Sequence, residues 1–99
     1  MSMEPKWPFD QGRLIDVCRR HGVTKVALFG SMVRGEHTAE SDIDLLVEFS
    51  QGKSLWALVR LERELAQALG RKVDVLTEAA LSPYLRPKIL QEMRVIYEA

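Results

Sequence analysis

Between residues 11 and 21, Leu14, Ile15, Val17 and Cys18 share one helical face and Arg13, Asp16, Arg19 and Arg20 the other, which predicts an amphipathic helix capped by Gly22. The pattern then changes. Residues 23–29 hold Val23, Val26, Ala27, Leu28 and Phe29, a nearly continuous apolar run of strand length, as a buried central strand requires. Gly30 ends the run, Ser31 to Arg34 can form one helical turn, and a polar loop leads to a second core strand over residues 43–49. After a turn at 51–54, Leu55, Leu58, Val59, Leu61, Leu65, Ala66 and Leu69 recur at helical spacing. Arg60, Glu64 and Gln67 point outward and Gly70 caps the segment, so its leucine face is expected in the core. A third strand is expected over 73–76. In the tail fenced by Pro83 and Pro87, residues 84–92 read as a helix and 95–97 as a short edge strand.

The 99 residues correspond to one small domain, and 46% hydrophobic with 28% charged residues is too apolar a balance for disorder. No apolar run approaches the roughly 20 residues of a membrane span. Residues 1–10 carry Glu4, Pro5, Lys6 and Pro8 in place of a basic and then apolar signal, so a cytoplasmic protein without membrane contact is expected. The single cysteine, Cys18, has no internal disulfide partner and reads as a small buried thiol. Lys plus Arg and Asp plus Glu are both 14, so the basic footprint of direct nucleic-acid binding is missing. The charge is unevenly spread, however: residues 36–50 hold five acidic side chains and no basic one.

That acidic stretch ends in Ser41-Asp42-Ile43-Asp44. Side chains alternate along a strand, so Asp42 and Asp44 point to one face and Ile43 and Leu45 to the other. Asp74, between Val73 and Val75, faces away from those valines and joins the pair if its strand lies beside 43–49. Three crowded carboxylates resist full ionisation unless a cation compensates them. Aspartate oxygens suit Mg²⁺, which takes further ligands from substrate phosphates, so the cluster predicts a nucleotide partner. Gly30 lets a backbone approach closely, Ser31 offers a hydroxyl and an N–H where anions bind, and Arg34 can add a charged contact. If the first two strands ran parallel, Gly30 and Asp42 would lie about 23 Å apart, at roughly 3.3 Å per residue; antiparallel, they meet at one edge.

Each of these residues also has a plainer reading. An isolated Asp-x-Asp is usually a solvated turn, and Asp74 and Arg34 could be surface positions; the spacing to Gly30-Ser31 is what favours a metal site. His21 and His37 are expected to face solvent. Trp7, Trp56 and Tyr84 either pack the termini or form a partner surface. The chain has no G-x-x-x-x-G-K-[ST] and no G-x-G-x-x-G after a strand.

Gly30-Ser31, ten intervening residues, Asp42-x-Asp44 and a later strand aspartate, Asp74, resemble the signature of the polymerase-beta-type nucleotidyltransferases. With Arg34-Gly35 and Leu45-Leu46-Val47, the segment from Val23 to Leu76 is most similar to the minimal nucleotidyltransferase group, whose members include MntA-type antitoxins. The resemblance implies an α+β (α/β) fold, a small mixed sheet with flanking helices. It also implies ATP as donor and two Mg²⁺ ions held by Asp42, Asp44 and Asp74, with Asp74 helping to deprotonate the attacking hydroxyl and Gly30 and Ser31 cradling the β- and γ-phosphates. The implied acceptor is a tyrosine on a partner HEPN-type toxin, silenced by AMP in a type VII toxin-antitoxin pair. Two alternatives stand beside this: an antitoxin that binds nucleotide and acts by contact alone, and a subunit that transfers to a small molecule.

Overall fold

Each continuous apolar run has a strand on both sides of it. In the computed structural model, which describes residues 7–36, 38 and 40–99, the elements are α1 (Gln11–Arg20), β1 (Val23–Phe29), α2 (Ser31–Arg34), β2 (Ile43–Phe49), α3 (Leu55–Leu69), β3 (Val73–Leu76), a 3-10 turn (Glu78–Ala80), α4 (Arg86–Glu92) and β4 (Arg94–Glu98). The sheet order is β3-β2-β1-β4. β1 is antiparallel to β2 and β4, whereas β2 and β3 are parallel, which makes the sheet mixed.

Strand alternation divides the core in two. Val26, Leu28, Ile43, Leu45, Val47, Val73 and Val75 face Leu14, Val17 and Cys18 of α1 and Leu61 and Leu65 of α3. On the opposite face, Ala27, Phe29 and Leu46 meet Leu81, just after the 3-10 turn, and Ile89 of α4 in a smaller cluster. The helices start where the sequence supplies caps: Asp10 accepts from the Arg13 N–H at 3.0 Å, and Ser54 from the Ala57 N–H at 3.3 Å. β3, at one edge of the sheet, has its Val75 N–H satisfied by Glu62 Oε2 of α3 at 2.8 Å. Cys18 lies fully buried, and burial pushes its thiol pKa up to about 12, so no thiolate is available for chemistry.

Several sequence expectations need correction. α1 ends at Arg20, because His21 takes the C-cap position and Gly22 turns the chain at φ +81°. α4 begins at Arg86 and not at 84, since the Ser82 hydroxyl accepts from the N–H groups of Tyr84 and Leu85 and holds them in a preceding turn. Leu55 is 74% exposed: helical spacing gives the direction of a face but not the extent of core beneath it, and on α3 only Leu61 and Leu65 are buried. His21 is half-buried, with Nε2 2.9 Å from Glu64 Oε1, tying the end of α1 to α3. That hydrogen bond, together with the Arg20 charge, holds the Glu64 carboxyl below its ordinary pKa. Trp7 stacks on Phe9, whereas Trp56 and Tyr84 are exposed. His37 lies outside the described residues. Among the described residues, no helix is long and apolar enough to cross a membrane.

Candidate active site

The sheet register brings the sequence-predicted residues to one end of the sheet. Phe29 at the end of β1 pairs with Asp44 near the start of β2, and Asp44 pairs with Asp74 on β3. The alternation that buries Ile43, Leu45, Val73 and Val75 in the larger core turns Asp44 and Asp74 to the opposite face, the one that α4 covers.

Gly30 closes β1 in a conformation that side chains rarely adopt, φ +78° and ψ −150°. A Cβ there would run into the Asp44 carboxylate. Glycine is therefore required twice, for the backbone angle and for the approach of Asp44. From this point the chain winds into α2: the Gly30 carbonyl accepts from the N–H groups of Val33 and Arg34 at 3.1 Å, and Gly35, at φ +74°, ends the turn. Ser31, the first residue of the turn, is half-buried beside the carboxylates' end of the sheet.

Asp44 has its carboxyl pKa raised from 3.8 to about 6. Burial is the largest cause, followed by the charges of Asp74 and Asp42 and a hydrogen bond with the Asp74 carboxyl; Arg34 pulls weakly the other way. The Asp42 side chain is partly exposed, and its Oδ2 lies 3.8 Å from Lys72 Nζ. Asp44 and Asp74 thus sit side by side on paired strands while Asp42 leans toward a lysine, and among the described residues no three carboxylate, imidazole or thiol groups close a ready cage around an ion. The donor chemistry, oxygen only, fits Mg²⁺ with part of its shell left for water and phosphate. The strained ionisation of Asp44 fits the same ion, because a divalent charge would relieve it.

Arg34 is already engaged. Its Nε donates to Glu36 Oε1 at 3.0 Å and its Nη1 to Glu92 Oε1 at 3.2 Å, so both carboxylates compete for the guanidinium assigned from sequence to a phosphate. The Gly30 N–H also donates to Glu92 Oε1, at 3.3 Å. Sequence reasoning missed Glu92. The available signal was its place one helical turn after Ile89, which puts both on the sheet-facing side of α4.

A glycine-serine turn facing paired carboxylates, on a small mixed sheet, fits a nucleotidyltransferase. Residues 13–96 match the family described as nucleotidyltransferase domain, and the chain belongs to that family. It is 49% identical over 80 residues to a relative from Methanocaldococcus jannaschii named as a candidate protein adenylyltransferase, MJ0435, covering 81% of this chain and 86% of the relative. It is 38% identical over 74 residues to the protein adenylyltransferase MntA of Thermococcus cleftensis, covering 75% of each. Among solved structures, a mutant form of the toxin-antitoxin pair MntA-HpeT superposes with a TM-score of 0.76 at 25% identity, covering 91% of this chain and 73% of the other.

Proposed function

We propose that this chain transfers AMP from ATP to a tyrosine hydroxyl of a partner HEPN-type toxin, as the antitoxin of a type VII toxin-antitoxin pair acting in the cytoplasm. The observation that carries the reading is the pairing of Asp44 with Asp74 across β2 and β3, with the Asp44 carboxylate directly against the Cβ-free face of Gly30. The relatives support it, one being called a protein adenylyltransferase MntA and the solved pair joining MntA to a toxin.

Asp42, Asp44 and Asp74 would hold two Mg²⁺ ions, which supply neutralisation of the triphosphate and of the departing pyrophosphate. Gly30 and Ser31 bind the β- and γ-phosphates and set the α-phosphorus near the carboxylates. Asp74 accepts the proton of the incoming tyrosine hydroxyl. A bond forms between the tyrosine oxygen and the α-phosphorus, and the bond from that phosphorus to the oxygen bridging the β-phosphorus breaks, releasing pyrophosphate. With this division of labour the protein's contribution is position and electrostatics.

The test is capture of partners from host lysate by this protein with ATP and Mg²⁺, beside the Asp42→Asn/Asp44→Asn variant, read by mass spectrometry. The expected result is a partner carrying AMP on tyrosine with the wild type only. A partner captured equally by both and unmodified would favour an antitoxin that acts by contact alone, and turnover of a small acceptor without any partner would overturn modification of a protein.

A further inference from the structure

We propose that Glu92 is a positioning residue of the nucleotide site: from α4, its carboxylate fixes the Gly30 peptide and the Arg34 guanidinium in the arrangement that transfer uses. The inference rests on the reading of residues 30–34 as the phosphate-binding turn. Glu92 lies 62 positions from Gly30 in the chain, yet one oxygen, Oε1, accepts from both the Gly30 N–H at 3.3 Å and Arg34 Nη1 at 3.2 Å. Its side chain is only 19% exposed, so a carboxylate largely withdrawn from water directs hydrogen bonds at this turn.

The elements around Glu92 hold it firmly. One turn earlier, Ile89 is buried against Ala27, Phe29 and Leu46, which fixes α4 on the sheet. Two residues later, Arg94 pairs with Leu28 as β4 joins the edge of β1. Glu92 is thus clamped between a docked helix and a paired strand, two residues' reach from the strand that delivers Gly30. The turn it grips needs such an anchor: Gly30 adopts a sparsely populated backbone conformation, and its orientation sets both the entry of α2 and the space left for Asp44. Arg34 is held by Glu36 on one side and Glu92 on the other, so the same carboxylate that binds the Gly30 peptide also orients the guanidinium.

The full chain carrying Glu92→Ala is compared with Glu92→Gln, whose amide oxygen can still accept from Gly30. Three readouts are taken: the Gly30 amide by NMR without nucleotide, binding of AMP-PNP with Mg²⁺, and kcat against KM for AMP transfer. In Glu92→Ala the Gly30 amide resonance is expected to move and its hydrogen exchange to quicken. The kcat per folded protein is expected to fall about tenfold to a hundredfold, the scale of a small misplacement of reacting groups, with AMP-PNP affinity within about threefold. Glu92→Gln is expected to restore most of both. If Glu92→Ala does not fold, Glu92→Met keeps the stem, lacks the acceptor and replaces it. A truncated variant with an unmoved Gly30 amide and wild-type kcat overturns the proposal, and tighter AMP-PNP binding overturns it too, since the carboxylate would then be a competitor of the phosphates. If the wild type itself transfers nothing, the adenylylation reading fails, while the Gly30 amide still decides whether Glu92 holds the turn.

Discussion

At Asp44, burial and two neighbouring carboxylates act in the same direction. The carboxyl pKa stands near 6 in the folded protein against an ordinary 3.8, so the folded state holds this proton more tightly than the unfolded chain does. The stabilisation from the group is fully present below about pH 4 and is lost as pH rises through 6. Without divalent ions, the melting temperature of the wild type relative to Asp44→Asn is expected to fall across that window, and Mg²⁺ is expected to raise it more at pH 7.5 than at pH 5. A melting-temperature series at both conditions checks this, and a flat difference between the two proteins would remove the electrostatic account of the site. The residues of this cluster were legible because strand alternation and the Gly30-Ser31 spacing are local facts. Glu92 and the His21–Glu64 pair were not, because each depends on a partner 43 to 62 positions away that only packing brings near.

At the level of elements, the strands were the most legible part. Two apolar runs, one turn and the reach of the chain were enough to give the antiparallel pairing of β1 with β2. The adjacency of β3 to β2 was inferred, and the register of Asp44 with Asp74 bears it out; that the two strands run parallel is known only from the structure. Helix bounds were less legible: the cap at His21 and the Ser82 turn before α4 are decided by hydrogen bonds that the hydrophobic pattern does not encode. The bond from the Val75 N–H to Glu62 joins α3 to β3 beside Asp74. Glu62→Ala is expected to cost about 1–3 kcal/mol in denaturant unfolding by leaving that N–H without its acceptor, and to lower AMP transfer by loosening Asp74. Glu62→Gln, which keeps an acceptor, is expected to lie close to wild type in both measurements; equal losses in the two variants would count against the bond.

Across the whole molecule, zero net charge conceals an acidic stretch, residues 36–50, that ends in the site. Its cluster of like charge is the feature a structural protein would avoid and a metal-assisted transferase requires. One sheet and its helices, with a Cα radius of gyration of 13.0 Å, present the carboxylates and the glycine turn at the same end, where the proposed reading has a second protein bring the acceptor. The central claim, that this face transfers a nucleotidyl group, is tested most directly by following each phosphate of ATP separately. With the captured partner and Mg²⁺, label on the α-phosphate is expected to remain on the partner and label on the γ-phosphate to leave as pyrophosphate, with neither retained by the Asp42→Asn/Asp44→Asn variant. Retention of the γ-label on the partner, or undiminished α-label transfer by the variant, would contradict the account.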